Sequence, residues 1–444
     1  KIFKMGFKNQ LFKWFNIKNN KGEEMNIGYF LEEEPKNIDD IQKIFKAFNL
    51  ESKLQLFKPL IRSKIDIELS ASSDEEINAV SSVLRSGKVN YWTGEQVKLF
   101  EQEFANQMGV KYALAVTSGT AALRVALAAL DIGPGDEVVT QCFTFVATVE
   151  GIIESRATPV CAEIDTTLNL DPDDLRRRIT PRTKAVIVVH MLGTPARLPE
   201  ITEICRQNKL MLIEDTAWGC GGNLQGTPLG TWGDIGTFSF DFAKTMTTGE
   251  GGMVVFRDEA VWKKAVAWHD HGHENNPAVP RWEDTRASSG FNYRMMELQG
   301  AVGLAQLKKL SSIVDAQRSN RDRLWQAMAD LPGIELRAAP DGSYETADAL
   351  VFLVADRMVA LRCRQQLLEA GLATKILPEA YTWHFAGTWQ HMPELLAAHG
   401  GNLETAFPLS QAILSRAVSI PVGVNMADDV PVRVRHALDK GLQP

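Results

Sequence analysis

The stretch Gly236-Thr-Phe-Ser-Phe-Asp-Phe-Ala-Lys-Thr-Met-Thr-Thr-Gly-Glu-Gly-Gly252 decides how the chain is read. An apolar run, Thr237 to Phe240, reads as a buried strand that delivers one lysine, Lys244, into a Thr/Gly-rich turn. A second apolar run, Met253 to Phe256, leaves that turn. A lysine beside a turn is ordinarily a solvated surface residue. At the end of an apolar strand, however, desolvation disfavours its charge, and a neutral amine is the nucleophile that attacks a carbonyl.

Upstream, short β-like runs alternate with helical stretches. The expected strands are Tyr112 to Val116, Glu137 to Thr140, Pro159 to Glu163, Lys184 to His190 and Leu210 to Glu214. Between them fall expected helices at Thr120 to Leu130, Val146 to Glu154, Asp173 to Ile179 and Leu198 to Gln207. Such alternation predicts an α/β fold with a large, mostly parallel sheet covered by helices on both faces. Two helices precede it, one opened by Ser73 as N-cap with an acidic first turn, the other at Glu95 to Met108. In sheets of this kind ligands sit at the carboxyl ends of the strands.

Three further segments fall at such ends. Thr117-Ser-Gly-Thr-Ala-Ala-Leu123 follows a strand and opens a helix, so it is either an anion cradle of free N–H groups and hydroxyls or simply a capped helix start. Phe143-Thr-Phe145 places an aromatic ring where it can stack on a planar ligand or pack in the core. Leu212-Ile-Glu-Asp-Thr-Ala-Trp218 ends a strand with two acids, either a helix cap or a carboxylate that holds a proton on a heteroaromatic nitrogen. One cofactor, pyridoxal 5'-phosphate, needs an anion cradle, a stacking face, an acid and an amine; Gly119 with Thr120, Phe145, Asp215 and Lys244 supply them in order.

With Gly249-Glu-Gly-Gly252 behind the lysine, that order resembles the DegT/DnrJ/EryC1/StrS family of sugar aminotransferases from about Ile67 to Pro421. Gly135-Asp-Glu-Val138, Ile179-Thr-Pro-Arg-Thr-Lys-Ala185, Val189-His190, Gly290-Phe-Asn-Tyr-Arg-Met295 and Gly303-Leu-Ala-Gln-Leu307 extend the resemblance. It implies the aspartate-aminotransferase fold, fold type I. The expected divisions are residues 1–66 as an N-terminal extension, 67–310 as a large cofactor domain and 311–444 as a small α+β domain. It also implies that Lys244 binds the cofactor's aldehyde and shuttles protons, and that Asp215 pairs with the ring nitrogen. Phe145 and Ala217 would sandwich the ring, while Gly119, Thr120 and Ser239 would hold the phosphate. Asn292 would reach the neighbouring subunit's phosphate site, making a homodimer with shared active sites. Trp218 departs from the family's Gln or His near the phenolic oxygen; an indole N–H donates but cannot accept.

The expected substrates are L-glutamate and a keto- or aldehyde sugar. His269, His271 and His273 alternate along one segment, but with no fourth ligand evident no metal is expected, and they read as donors to an anionic sugar. Arg294 and His384 join them. By resemblance the acceptor is 8-oxo-3-deoxy-manno-octulosonate, a lipopolysaccharide precursor aminated at C8; the alternative is a nucleotide-linked 4-keto-6-deoxy sugar. A non-catalytic regulator would keep the same cradle, but the intact Lys244 gives no reason to prefer one.

A net charge of −7 argues against general nucleic-acid binding. The five cysteines are odd in number, widely spaced and without a CxxC pair, which fits free thiols in a reducing cytoplasm. No apolar run approaches a membrane span and no signal-peptide pattern is visible, so a soluble cytoplasmic protein is expected. The first sixty-odd residues use lysine in place of arginine and are rich in phenylalanine. Within them Asp40 reads as a cap for a short helix at Ile41 to Phe48. Residues 1–18 fit either a helix docking on a membrane surface or partner, or a packed extension; their apolar residues keep no single helical face, which favours the second.

Overall fold

The computed structural model describes residues 74–378 and 381–443. The expected extension at 1–66, its helix at Ile41 to Phe48 and the Ser73 cap lie outside the described residues.

The strands β1 (Tyr112–Val116), β2 (Glu137–Gln141), β3 (Thr158–Ala162), β4 (Thr183–Val189) and β5 (Met211–Asp215) alternate with helices as their sequence pattern requires. A small hairpin, β6 (Asn223–Leu224) and β7 (Thr227–Pro228), precedes β8 (Ile235–Ser239) and β9 (Gly252–Phe256). The seven-stranded sheet has the order β1-β9-β8-β5-β4-β2-β3. The β3-β2-β4-β5-β8 pairs are parallel, and β9 runs antiparallel to both β8 and β1. The carboxyl ends of all strands but β9 therefore share one edge.

Alternation along β8 decides which side chains reach that edge. Phe238 and Phe240 point to one face, where Phe104 meets Phe238 at 4.9 Å between ring centroids and Phe100 meets Phe240 at 5.4 Å. Phe100 and Phe104 are one turn apart on the helix Gln96–Met108, and each fully buried phenylalanine contributes about 2 kcal/mol. Ser239, between the two aromatics, faces the helix Gly119–Ala129 on the other side.

The helix Glu297–Met328 carries the chain to a second, three-stranded antiparallel sheet of β10 (Glu335–Leu336), β12 (Ala349–Leu353) and β13 (Ala417–Pro421). A strand between them, β11 (Ser343–Tyr344), pairs instead with β6. Leu307, Leu310 and Val314 of the long helix pack with Phe238 and Phe240, whereas Leu324 and Met328 pack with Leu350, Phe352 and Val418 of the smaller sheet. The expected division at residue 310 thus falls inside an unbroken helix that serves both cores. Among the described residues no helix is long and apolar enough to cross a membrane, and all five cysteines are free and buried.

Candidate active site

At the carboxyl end of β5 the two acids separate by alternation. Glu214 turns beneath the site, where it accepts the Gly230 and Gly233 N–H groups at 2.8 Å and faces His190 Nε2 at 3.0 Å. His190 Nδ1 accepts the Ala196 N–H, which leaves the ring proton on Nε2 to donate to Glu214. Asp215 opens on the other face. Its Oδ2 accepts from Thr148 Oγ1 at 2.8 Å and its Oδ1 from the Ala217 N–H at 3.2 Å. No helix follows Asp215, so the helix-cap reading is not realised. Both donors are neutral; burial pushes the carboxyl pKa up, against the opposing pull of these bonds, Lys244 and His190. The carboxylate is therefore ready for a positively charged partner.

Lys244 is held by a closely bonded turn. Its N–H reaches Asp241 O at 3.1 Å, Ala243 N–H reaches Asp241 Oδ1 at 3.0 Å, and Thr248 N–H returns to Phe240 O at 2.9 Å. The ammonium lies 3.5 Å from the ring centroid of Trp218, which is itself 8% exposed. Burial lowers the Lys244 pKa from 10.5 to about 8; Asp215 opposes the shift and a second lysine, Lys375, adds to it. Trp218, which stands at a cofactor-binding position in the resemblance, presents its indole face to the amine, and Thr346 Oγ1 fixes its carbonyl at 2.9 Å.

The anion cradle forms because Val116, Gly252 and Ser239 lie in register across β1, β9 and β8. Ser118 caps the helix Gly119–Ala129 through Ala121 N–H at 3.1 Å, and among the described residues the N–H groups of Gly119 and Thr120 find no acceptor. A Cβ at position 119 would stand 2.7 Å from Ser239 Cβ, so only glycine lets the helix start meet the serine. An anion beside Gly119 and Ser239, a heteroaromatic nitrogen at Asp215 and an aldehyde at Lys244 are the demands of pyridoxal 5'-phosphate, and these residues fit it.

Phe145, at the end of β2, is partly buried, 5.5 Å from the His384 ring and 6.0 Å from the Trp383 ring. Backbone bonds from Thr144 to His384 and from Val146 to Trp383 hold that segment against it. Asn292 is exposed, its Oδ1 accepting the Arg294 N–H at 3.3 Å.

The other expected substrate residues are mostly engaged elsewhere. His269 is fully buried; Nδ1 meets Val266 O at 2.6 Å and burial lowers its pKa to about 4, so near neutrality it is no cation. His273 is buried with Nδ1 at 3.2 Å from Asp284. Arg294 pairs with the buried Asp270, which also takes both guanidinium nitrogens of Arg281 at 2.7 Å. His271 alone of the three segment histidines is exposed. Among the described residues no group of three or more His, Cys, Asp or Glu is arranged to hold a metal ion.

Sequence reading missed Thr148, Lys375 and Asp348. Thr148 had a local signal, since its hydroxyl meets that of Thr144, four residues before it, at 2.8 Å. Lys375 had none, because it enters from the smaller sheet, where its N–H pairs with Ser419 O of β13.

A buried acid, a desolvated lysine and a glycine-serine anion cradle on one sheet edge define an aminotransferase of the pyridoxal phosphate type. The DegT/DnrJ/EryC1/StrS aminotransferase family model matches residues 70–439, and the chain belongs to that family. It is 33% identical over 337 residues to GDP-perosamine synthase of Vibrio cholerae, covering 76% of this chain and 88% of the relative. It is 35% identical over 312 residues to dTDP-4-dehydro-2,3,6-trideoxy-D-glucose 4-aminotransferase of Saccharopolyspora spinosa, covering 68% and 80%. Among solved structures, an aminotransferase from Psychrobacter cryohalolentis superposes with a TM-score of 0.75 at 30% identity, covering 83% of this chain and 96% of the other. The chain is a pyridoxal 5'-phosphate-dependent aminotransferase of fold type I.

Proposed function

We propose that this aminotransferase moves the amino group of L-glutamate to a nucleotide-linked keto sugar. The observation that carries the reading is the Lys244 amine, desolvated on the Trp218 face within the electrostatic reach of buried Asp215. When bound, the cofactor supplies an electrophilic carbon and an electron sink. Lys244 would hold that carbon between turnovers and carry the proton on and off the substrate carbon. Asp215 keeps a proton on the ring nitrogen, and Thr148 orients the carboxylate. Phe145 and Ala217 would flank the ring, while Gly119, Thr120 and Ser239 would receive the phosphate. Asn292, exposed on its own chain, completes the phosphate site of a partner in a homodimer. The cofactor domain ends and the small domain begins within the helix Glu297–Met328.

The nucleotide-linked acceptor is favoured by the GDP- and dTDP-sugar names of the two relatives. It is also favoured by the placement of the donors. A free sugar acid such as 8-oxo-3-deoxy-manno-octulosonate must desolvate a carboxylate, which needs charged donors. His269 is uncharged near neutrality, and His273 and Arg294 already face carboxylates, whereas a nucleotide diphosphate can keep its charge near the surface. Both acceptor types, offered with L-glutamate and followed by mass spectrometry, test this. We expect kcat/KM to favour nucleotide-linked keto sugars by at least about a hundredfold, the scale of two lost charged hydrogen bonds. Amination of the octulosonate with none of the nucleotide sugars would reverse the acceptor assignment.

A further inference from the structure

Trp218 carries two cations. Lys244 Nζ lies 3.5 Å and Lys375 Nζ 4.6 Å from its ring centroid, so the two amines are separated by no more than the sum of those distances. Lys375 is not a stray surface residue. Its side chain is 19% exposed, its Nζ is 2.6 Å from Asp348 Oδ2 and 3.3 Å from Asp348 O, and its backbone N–H is fixed on β13. Asp348 is 4% exposed, and among the described residues its second oxygen, Oδ1, has no hydrogen-bond partner. The ammonium has three hydrogens; Asp348 takes two, and the third has the indole face nearby.

We propose that Lys375 receives the α-carboxylate of the amino-acid donor and thereby restricts donors to α-amino acids; this rests on the transamination reading above. The donor's nitrogen must take the place of the Lys244 amine at the reacting carbon. Its α-carboxylate carbon then lies about 2.5 Å from that nitrogen, and a cation bonded to the carboxylate roughly 4–6 Å from it. Lys375 sits near the same indole, the upper bound on its distance from the Lys244 amine admits that range, and a carboxylate fixes its direction. Its charge also disfavours protonation of Lys244, so one residue aids both donor binding and the nucleophile.

The test uses holoenzyme with Lys375→Met, Lys375→Arg and the double variant Lys375→Met/Asp348→Asn, which removes the buried pair together so that no unpaired carboxylate compromises folding. Single-turnover rates are measured with L-glutamate and with 4-aminobutyrate, which lacks the α-carboxylate. Calorimetry gives the Kd of glutarate, an unreactive dicarboxylate, and the KM of the keto-sugar acceptor is measured separately. In Lys375→Met and the double variant the preference for glutamate over 4-aminobutyrate should fall about tenfold or more, with a matching rise in the glutarate Kd, and Lys375→Arg should restore most of it. The acceptor KM should stay within about twofold. An unchanged donor preference and glutarate Kd in both variants, or an effect confined to the acceptor, would overturn the proposal. If the wild-type holoenzyme accepts an amino group from none of the amino acids offered, the functional reading falls instead, and that failure is visible without any variant.

Discussion

Lys244→Ala should lower transamination from L-glutamate by about 10,000-fold or more, the scale expected when one group is both nucleophile and proton carrier. The alanine leaves Trp218 and Asp215 in place but offers no amine to the reacting carbon. Lys244→Arg should not rescue, because a guanidinium keeps its charge and cannot act as a base. Small primary amines in the buffer should return part of the rate, since the surrounding site is intact. Turnover of Lys244→Ala near the wild-type level would remove the residue from the mechanism.

Asp215→Asn should retain the cofactor yet slow the glutamate half-reaction by about a hundredfold to ten-thousandfold. Asparagine keeps the shape and can still accept from Thr148, so folding is not the expected casualty. What it lacks is the negative charge that keeps a proton on the ring nitrogen, and with it the electron sink for the substrate carbon. Cofactor absorbance reports occupancy and stopped-flow decay reports the half-reaction. An unchanged single-turnover rate at full occupancy would assign the nitrogen to another partner.

The proposed site residues that the structure brings together as the sequence pattern placed them are those at or near the end of their own strand. The strand at Tyr112 to Val116 is found with the bounds its alternation with helices implied, and the other strands expected in the large sheet shift by only a residue or two. Asp215 is the last residue of β5 and Lys244 lies in the turn that follows β8, so local pattern sufficed to place them on one edge. Burial and pairing were not legible in the same way. Nothing local says that Asp270 neutralises Arg294, which depends on how the segment between them folds back, or that His269 is fully buried. The exact residue of the domain limit had no local mark for a related reason, because from Leu304 to Met328 the sequence has no proline or glycine to show where one core gives way to the next. Lys375 and Asp348 meet Trp218 only through the packing of the smaller sheet, a long-range event with no motif.

The account rests on which amine holds the cofactor, and two lysines lie close to the Trp218 ring. Borohydride reduction of the holoenzyme fixes the cofactor to that amine, and digestion with mass spectrometry locates it. The account predicts a phosphopyridoxyl group on Lys244 and none on Lys375; a label on Lys375, or on any other lysine in place of Lys244, would contradict it.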